Sequence, residues 1–232
     1  MKKLLRSLPD LKLARARFKE ETEIKRFNID SKYDNLGKGK TYSILTYGCQ
    51  GNEADSEELA GILESLGYEK SKDKYKSDVV LLNTCAIRGG AENRIWGVLG
   101  QLKSYKEKNK EMVIGVCGCM PQEEVTTKKL MESYPFCDLI FGTHNKEDLP
   151  SMLFDRYTKL KRVVEVISKQ GEILEGSPKR RQSKHKAWVN IMFGCDEFCT
   201  YCIVPYTRGK ERSRLKEDII DEVKDSVKKG YK

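Results

Sequence analysis

Between residues 41 and 157, short apolar runs alternate with amphipathic segments, and this alternation constrains the fold more than any other feature of the sequence. Residues 77–83, SDVVLLN, are typical of a parallel strand that is buried on both faces. Strand–helix repeats of this size predict an α/β fold with a doubly wound parallel sheet. The apolar spacing predicts strands over 41–47, 77–83, 112–118 and 138–142, and helices over 55–66, 92–105, 121–133 and about 146–157.

The sequence changes character after residue 157. Residues 158–182 end in a stretch rich in Gly, Ser, Pro, Lys and Arg, and we expect a linker there. Residues 186–194 predict a strand and 215–229 a helix. Because one strand–helix unit cannot bury its own apolar faces, we expect a second domain that is cut off. The predicted organisation is an extension over 1–40, a domain over 41–157, a linker over 158–182 and a truncated domain over 183–232.

The net charge of +9 is unevenly distributed. The basic excess lies in residues 1–40 and 178–216, whereas the predicted sheet domain is slightly acidic. Clustered positive charge suits a polyanion such as nucleic acid, and it equally suits a solvated lysine-rich surface. The sequence contains neither the apolar stretch of about 20 residues that a membrane helix needs nor a signal peptide, so we expect a cytoplasmic protein.

Three of the eight cysteines follow the strand predicted over 186–194. Cys195, Cys199 and Cys202 form a C-x3-C-x2-C motif. Three such thiolates can hold three irons of a 4Fe–4S cluster and leave the fourth iron open. A zinc site is the alternative, although it normally needs a fourth protein ligand and the nearest histidine, His185, lies well upstream.

Three further cysteines each follow a predicted strand. Cys49, Cys85 and Cys119 follow the first, second and third strands of the sheet domain. Ligands of open α/β sheets gather at the C-terminal edge of the strands, so these thiols can meet there. The pattern suits a second cluster and ordinary packing about equally. We expect Cys117 and Cys137, which lie in or beside strands, to be buried side chains rather than ligands.

Several segments together resemble the methylthiotransferases, a family of radical S-adenosylmethionine (SAM) enzymes. They are YGCQGNEADSE, NTCAIR, AENRIWGVLG, VCGCMPQ, FGTHN and AWVNIMFGCDEFCTYCIVPYTRGKERSR, and the resemblance runs from about residue 41 to the end. The last two segments resemble most the branch that acts on dimethylallyladenosine in tRNA. Branches that act on threonylcarbamoyladenosine in tRNA or on a ribosomal protein share the architecture and stay open.

The sequence departs from the family pattern at two places. Gly51 stands where a larger residue is usual, and Gly89-Gly90 stands where a charged or amide pair is frequent. Neither change replaces a cysteine, although we expect the glycines to loosen the loop after Cys85. The family continues into a complete partial barrel and an RNA-binding β-domain. The resemblance therefore implies that this chain is an incomplete fragment that is itself inactive.

The resemblance also implies the cofactors and their ligands. Two 4Fe–4S clusters are expected, one on Cys195, Cys199 and Cys202 for reductive cleavage of SAM and one, the auxiliary cluster, on Cys49, Cys85 and Cys119 as the source of sulfur. Tyr201 is expected near the adenine of SAM. The reaction is methylthiolation of carbon 2 of N6-isopentenyladenosine next to the anticodon. The clusters carry this chemistry, and no side chain is expected to act as a catalytic acid or base.

The partners follow from the same resemblance. They are tRNA with an isopentenylated adenosine in its anticodon loop, and an electron donor such as flavodoxin or ferredoxin; a membrane is not expected, and the protein is expected to be a monomer. Arg208, Lys210, Arg212 and Arg214 either contact phosphates or form a solvated basic stretch. A non-catalytic iron–sulfur protein that binds RNA is the rival hypothesis.

Overall fold

The computed structural model describes residues 12, 15, 21–73, 75–86, 89–167 and 172–231. Within these residues, six strands form one parallel sheet in the order β3-β2-β4-β5-β6-β7. Two smaller sheets pair β1 with β8 in parallel and β9 with β10 antiparallel. The strands are β1 (Glu23–Arg26), β2 (Thr41–Tyr47), β3 (Glu69–Lys70), β4 (Val79–Thr84), β5 (Val113–Gly118), β6 (Leu139–Phe141), β7 (Val163–Glu165), β8 (Glu172–Glu175), β9 (Met192–Phe193) and β10 (Arg212–Ser213).

Four helices cover the two faces of the six-stranded sheet, and two further helices follow in the C-terminal part of the described chain. The four are α1 (Gln50–Ser65), α2 (Gly89–Lys108), α3 (Glu124–Ser133) and α4 (Leu149–Lys159), and the two are the short α5 (Val204–Thr207) and α6 (Lys216–Lys228). Apolar side chains of α1 and α4 form one core with one face of the sheet, and those of α2 and α3 form a second core with the other face. Successive side chains along each strand point to opposite faces of the sheet, so they enter the two cores alternately. The predicted α/β fold with a doubly wound parallel sheet is therefore confirmed.

The predicted strands match β2, β4, β5 and β6 to within two residues at each end, whereas two helices begin earlier than predicted. Helix α1 begins at Gln50 rather than at residue 55, because its first turn is polar and carries no apolar stripe. Hydrogen bonds at the N-terminus stabilise this first turn in place of apolar packing: the Asn52 side chain accepts a hydrogen bond from the Cys49 backbone N–H at 3.2 Å. Gly89 and Gly90 do not extend the loop after Cys85 but form the first residues of α2.

The region predicted as a linker, 158–182, contains two strands. β7 adds to the edge of the large sheet beside β6, and β8 pairs with β1 of the predicted N-terminal extension. Residues 178–182 then lie along the outer side of α1, where the Arg180 backbone N–H donates to Glu57 O at 2.8 Å. β7 is short, and residues 178–182 are held by ion pairs rather than by apolar packing. Neither feature produces a hydrophobic pattern, so the sequence predicts a linker over these residues.

The remaining segments agree in part with expectation. The strand predicted over 186–194 is reduced to β9, because its register with β10 covers two residue pairs, and the helix predicted over 215–229 is α6. Of the extension predicted over 1–40, the structure describes Lys12, Arg15 and residues 21–40. Every helix in the described part of the chain is too short or too polar to cross a membrane.

Gly118 permits the chain to turn at the end of β5, and its replacement generates the first prediction. Its φ is +96°, and a Cβ there would lie 2.4 Å from Asn83 Oδ1 and 2.6 Å from Thr84 O. Gly118→Ala should therefore destabilise the fold by about 1–3 kcal/mol in chemical denaturation. Gly100→Ala is the matched control, since nothing lies within 4 Å of a Cβ at this exposed position in α2. It should stabilise the fold by about 0.4–1 kcal/mol, and equal effects of the two changes would contradict the account.

Candidate metal centre

The three strand-end cysteines of the sheet domain line one cavity. Cys49 follows β2, Cys85 follows β4 and Cys119 follows β5, and all three border a space of about 210 Å³. Strands β2 and β4 are neighbours whose following helices, α1 and α2, lie on opposite faces of the sheet. This is the switch point at which open α/β sheets form a crevice for ligands. Cys85 and Cys119 are almost fully buried, and Cys49 is half-buried.

Backbone hydrogen bonds continue the strand register into the cysteine loops. The Cys85 N–H donates to Tyr47 O at 2.9 Å, and the Cys119 N–H donates to Thr84 O at 2.9 Å. Each cysteine is thus held one residue beyond the ladder, directly against the neighbouring strand. The positions of these two ligand candidates are set by the sheet rather than by flexible loops.

Two buried asparagines fix the relation of the Cys49 loop to β4, and sequence reasoning missed both. Asn52 Nδ2 donates to Asn83 Oδ1 at 3.0 Å and to Thr84 O at 3.2 Å. Asn83 Nδ2 returns hydrogen bonds to Asn52 O at 2.8 Å and to Ser56 Oγ at 2.9 Å. Both amides are fully buried, so the energetic cost of leaving them unpaired holds this arrangement. The available signal was an asparagine at the end of an otherwise apolar strand.

A buried ion network adjoins the cavity. The Arg208 guanidinium donates to Asp55 Oδ2 at 2.7 Å, and Lys146 Nζ donates to Asp55 Oδ1 at 2.7 Å and to Glu58 Oε2 at 2.6 Å. Although burial acts to raise it, these two cations lower the pKa of Asp55 to about 2. The Arg208 guanidinium also borders the cavity together with Cys119. The cavity therefore has a permanent positive charge at its wall.

The thiols of the cavity differ in acidity. The neighbouring thiol of Cys85 lowers the pKa of Cys49 to about 5, against the opposing effect of burial. Backbone N–H groups at the start of α1 and the charge of Arg208 act in the same direction as Cys85. Burial raises the pKa of Cys119 despite the nearby guanidinium. Metal binding requires thiolates. Of Cys49 and Cys119, Cys49 is the thiol that loses its proton more readily.

The two other cysteines of the sheet domain are buried in its cores. Cys117 lies in β5 and packs in the core under α1 and α4, and burial raises its pKa far above the ordinary range. Cys137 lies in the core on the opposite face, where burial raises its pKa to about 12. The cavity contains Cys119 and not Cys117 among its lining residues. Both observations agree with the expectation that Cys117 and Cys137 are packing residues.

The donor set suits a polynuclear group. The part of the chain that the structure describes contains no three His, Cys, Asp or Glu side chains close enough together to hold a metal ion. Cys49, Cys85 and Cys119 nevertheless line one cavity. Three cysteine sulfurs can hold three irons of a 4Fe–4S cluster, and a nearby cation offsets part of its negative charge.

The second cysteine motif lies in a loop next to this cavity. Cys195, Cys199 and Cys202 are in the loop between β9 and α5, and Cys199 is exposed while the other two are half-buried. The Cys195 N–H donates to Gly209 O at 3.0 Å. Met192, Phe193 and Gly194, which precede the loop, border the cavity of the first trio. Tyr201 is 90% exposed.

The four basic residues after this loop are neither free for phosphates nor solvated. Arg214 donates to Glu175 Oε2 at 2.6 Å and to Glu222 Oε2 at 2.7 Å. Arg208 is bound to Asp55, and the buried Arg212 donates to Lys210 O at 2.9 Å. Lys210 is also buried. Carboxylates of the same chain thus hold Arg208 and Arg214, and Lys210 and Arg212 are buried, so these four residues do not form the solvated basic stretch that the sequence left open.

The chain is similar to known proteins over the segments that carry both cysteine trios. Residues 41–142 match the family model described as "Uncharacterized protein family UPF0004". Curated proteins named tRNA-2-methylthio-N(6)-dimethylallyladenosine synthase match nearly the whole chain. Those of Staphylococcus saprophyticus, Bacillus pumilus and Staphylococcus epidermidis are 56%, 52% and 54% identical over 97%, 97% and 96% of it. The predicted resemblance is confirmed. The chain spans 44% of the length of each of these relatives.

The different settings of Cys117 and Cys119 generate the second prediction. Cys119→Ser should abolish iron binding at the cavity, because it removes a thiolate that borders it. Cys117→Ser should keep that iron and lower the free energy of unfolding by about 1–3 kcal/mol, because it places a hydroxyl in an apolar core. Iron content and the visible absorption of anaerobically reconstituted protein, together with urea denaturation, measure both effects. The reverse pattern would make Cys117 the ligand.

Proposed function

We propose that this chain is part of a tRNA methylthiotransferase that converts N6-isopentenyladenosine next to the anticodon into its 2-methylthio derivative. The observation that carries the proposal is the cavity at the sheet edge, bordered by three cysteines from three separate strands, in a chain more than 50% identical to synthases named for this product. Pairs of cysteine trios suit this chemistry because an unactivated aromatic C–H bond is beyond the reach of acid–base groups.

The proposed roles follow the two trios. Cys49, Cys85 and Cys119 hold an auxiliary 4Fe–4S cluster in the cavity, and Cys195, Cys199 and Cys202 hold a second 4Fe–4S cluster that binds SAM. When bound, these groups supply the radical and the sulfur for the reaction. The residues of the chain bind and orient them: the sheet register fixes Cys85 and Cys119, and the asparagine pair fixes the Cys49 loop. Tyr201, whose ring is exposed, is proposed to contact the adenine of SAM.

The proposal also covers the partners of the protein and the boundaries of its structural units. The substrate is tRNA with an isopentenylated anticodon loop, the reductant is a small electron carrier such as flavodoxin or ferredoxin, and the protein acts in the cytoplasm as a monomer. The basic extension over 1–40, the sheet domain over 41–157 and the segment over 183–232 are proposed as its units, joined through residues 158–182. The tests below distinguish this function from the alternatives. These are modification of threonylcarbamoyladenosine in tRNA, modification of a ribosomal protein, and a non-catalytic role in binding RNA.

The third prediction is that the two trios load iron independently. Changing Cys195, Cys199 and Cys202 to Ala should halve the iron and sulfide content of anaerobically reconstituted protein, because Cys49, Cys85 and Cys119 follow strands of the large sheet and lie outside the loop that is changed. Cys137→Ala is the control and should leave the iron content unchanged, since Cys137 is buried away from the cavity. Complete loss of iron, or no loss, in the triple variant would contradict the assignment of two sites.

The fourth prediction concerns activity. A chain extended to the full length of the relatives should form methylthio product on isopentenylated tRNA with SAM and reductant under anaerobic conditions, and Cys119→Ser should abolish it. The 232-residue chain should load the auxiliary cluster without forming product. Helix α6 exposes Ile220, Val223 and Val227 along one side, which supports an incomplete catalytic domain. Mass spectrometry of digested tRNA measures the product.

Three results of this assay would contradict the proposal. Product on threonylcarbamoyladenosine or on a ribosomal protein would reassign the substrate. Cluster loading without SAM cleavage by the extended chain would favour the non-catalytic alternative. Product from the 232-residue chain at the rate of the extended one would overturn the incompleteness of the catalytic domain.

A further inference from the structure

Arg208 connects the two cysteine regions. It lies six positions after Cys202 in the sequence, at the end of the short helix α5. Its guanidinium nevertheless reaches α1, where it donates to Asp55 Oδ2 at 2.7 Å and would lie 3.3 Å from a Cβ at Gly51. It also borders the cavity formed by Cys49, Cys85 and Cys119. One side chain from the second cysteine region therefore forms part of the wall of the first site.

The charges around this side chain balance before any thiolate is counted. Arg208 and Lys146 supply two positive charges, and Asp55 and Glu58 supply two negative ones. These four side chains are all at most 18% exposed, so solvent screens them weakly. A cluster on three thiolates adds negative charge beside them. Arg208 is the member of the network that borders the cavity of Cys49, Cys85 and Cys119, so it is the cation best placed to offset that charge.

The same residue holds the backbone that follows the second cysteine motif. Its N–H donates to Val204 O at 2.8 Å, and the neighbouring Thr207 O accepts from Thr143 Oγ1 at 2.5 Å. The Cys195 N–H is bound to Gly209 O, the residue after Arg208. Movement of Arg208 away from Asp55 would therefore release both ends of the loop that carries Cys195, Cys199 and Cys202.

We propose that Arg208 is a positioning residue that fastens the second cysteine loop against the first site and stabilises the reduced, more negative state of a cluster held there. The inference rests on the proposed function, because it takes a cluster on Cys49, Cys85 and Cys119 as given. A cation near a cluster raises its reduction potential, and a carboxylate lowers it. Removing Arg208 or Asp55 breaks the same ion pair, but the two changes alter the charge beside the cluster in opposite directions.

The test uses the full 232-residue chain with Cys195, Cys199 and Cys202 changed to Ala, so that the first site alone contributes a cluster. Arg208→Gln, Asp55→Asn and Arg208→Lys are compared on this background, and the reduction potential is measured by spectroscopic redox titration. We expect Arg208→Gln to shift the potential to more negative values and Asp55→Asn to shift it to more positive values. Arg208→Lys keeps the charge and should remain close to the parent. A shift of the same sign in Arg208→Gln and Asp55→Asn would overturn the electrostatic role, since mere loosening of the pocket predicts that result.

Amide hydrogen exchange of the cluster-free chain with its native cysteines tests the fastening role separately. Arg208→Gln and Asp55→Asn should both accelerate exchange at residues 195 and 207–208. Arg214→Gln is the matched control: it breaks a buried ion pair with Glu175 and Glu222 and should leave the exchange of these amides unchanged. Unchanged exchange in Arg208→Gln would overturn the fastening role. Absence of iron from the parent chain of the redox experiment would overturn the proposed cluster and the electrostatic role with it, while the exchange result stands independently.

Discussion

The alignment of parallel strands at one edge of the sheet is the constraint on which the site depends. Because β2, β4 and β5 run in the same direction, their carboxyl ends meet, and each is followed within two residues by a cysteine. The Tyr47 and Thr84 carbonyls extend the ladder into the next loops and hold the backbone of Cys85 and Cys119. Any change that shifts this register by one residue would turn the thiols to the opposite face of the sheet.

Buried ion pairs attach the C-terminal part of the chain to this sheet. Helix α1 carries the buried carboxylates of Glu57 and Asp55, which bind Arg181 and Arg208 from later segments. Such pairs are hydrogen-bonded and desolvated, so they specify one arrangement more than they add stability, and loss of one partner leaves a buried charge. The basic excess of the sequence is therefore used in part inside the protein. Net charge alone therefore does not indicate which basic residues are free to contact a polyanion.

The sequence was sufficient to predict the fold where hydrophobic periodicity is strong. The apolar runs of β4 and β5 and the spaced apolar residues of α2 determine the doubly wound sheet, and the strand ends then indicate where Cys49, Cys85 and Cys119 meet. Polar contacts between distant segments produce no periodic pattern in the sequence, so they could not be predicted from it. The early start of α1, the strands β7 and β8 and the Asn52–Asn83 pair depend on capping, on short pairings and on buried amides. Arg208 was recognised as basic, but its burial against Asp55 required the structure.

The central claim is that three strand ends form a cysteine site for an iron–sulfur cluster. The most direct measurement is a crystal structure of the anaerobically reconstituted chain, with diffraction data collected on both sides of the iron absorption edge. The account predicts an anomalous peak inside the cavity bordered by Cys49, Cys85 and Cys119, with continuous density to all three sulfur atoms. A cavity without iron in crystals whose second trio is loaded, or density that joins the iron to Cys117 instead of Cys119, would contradict it.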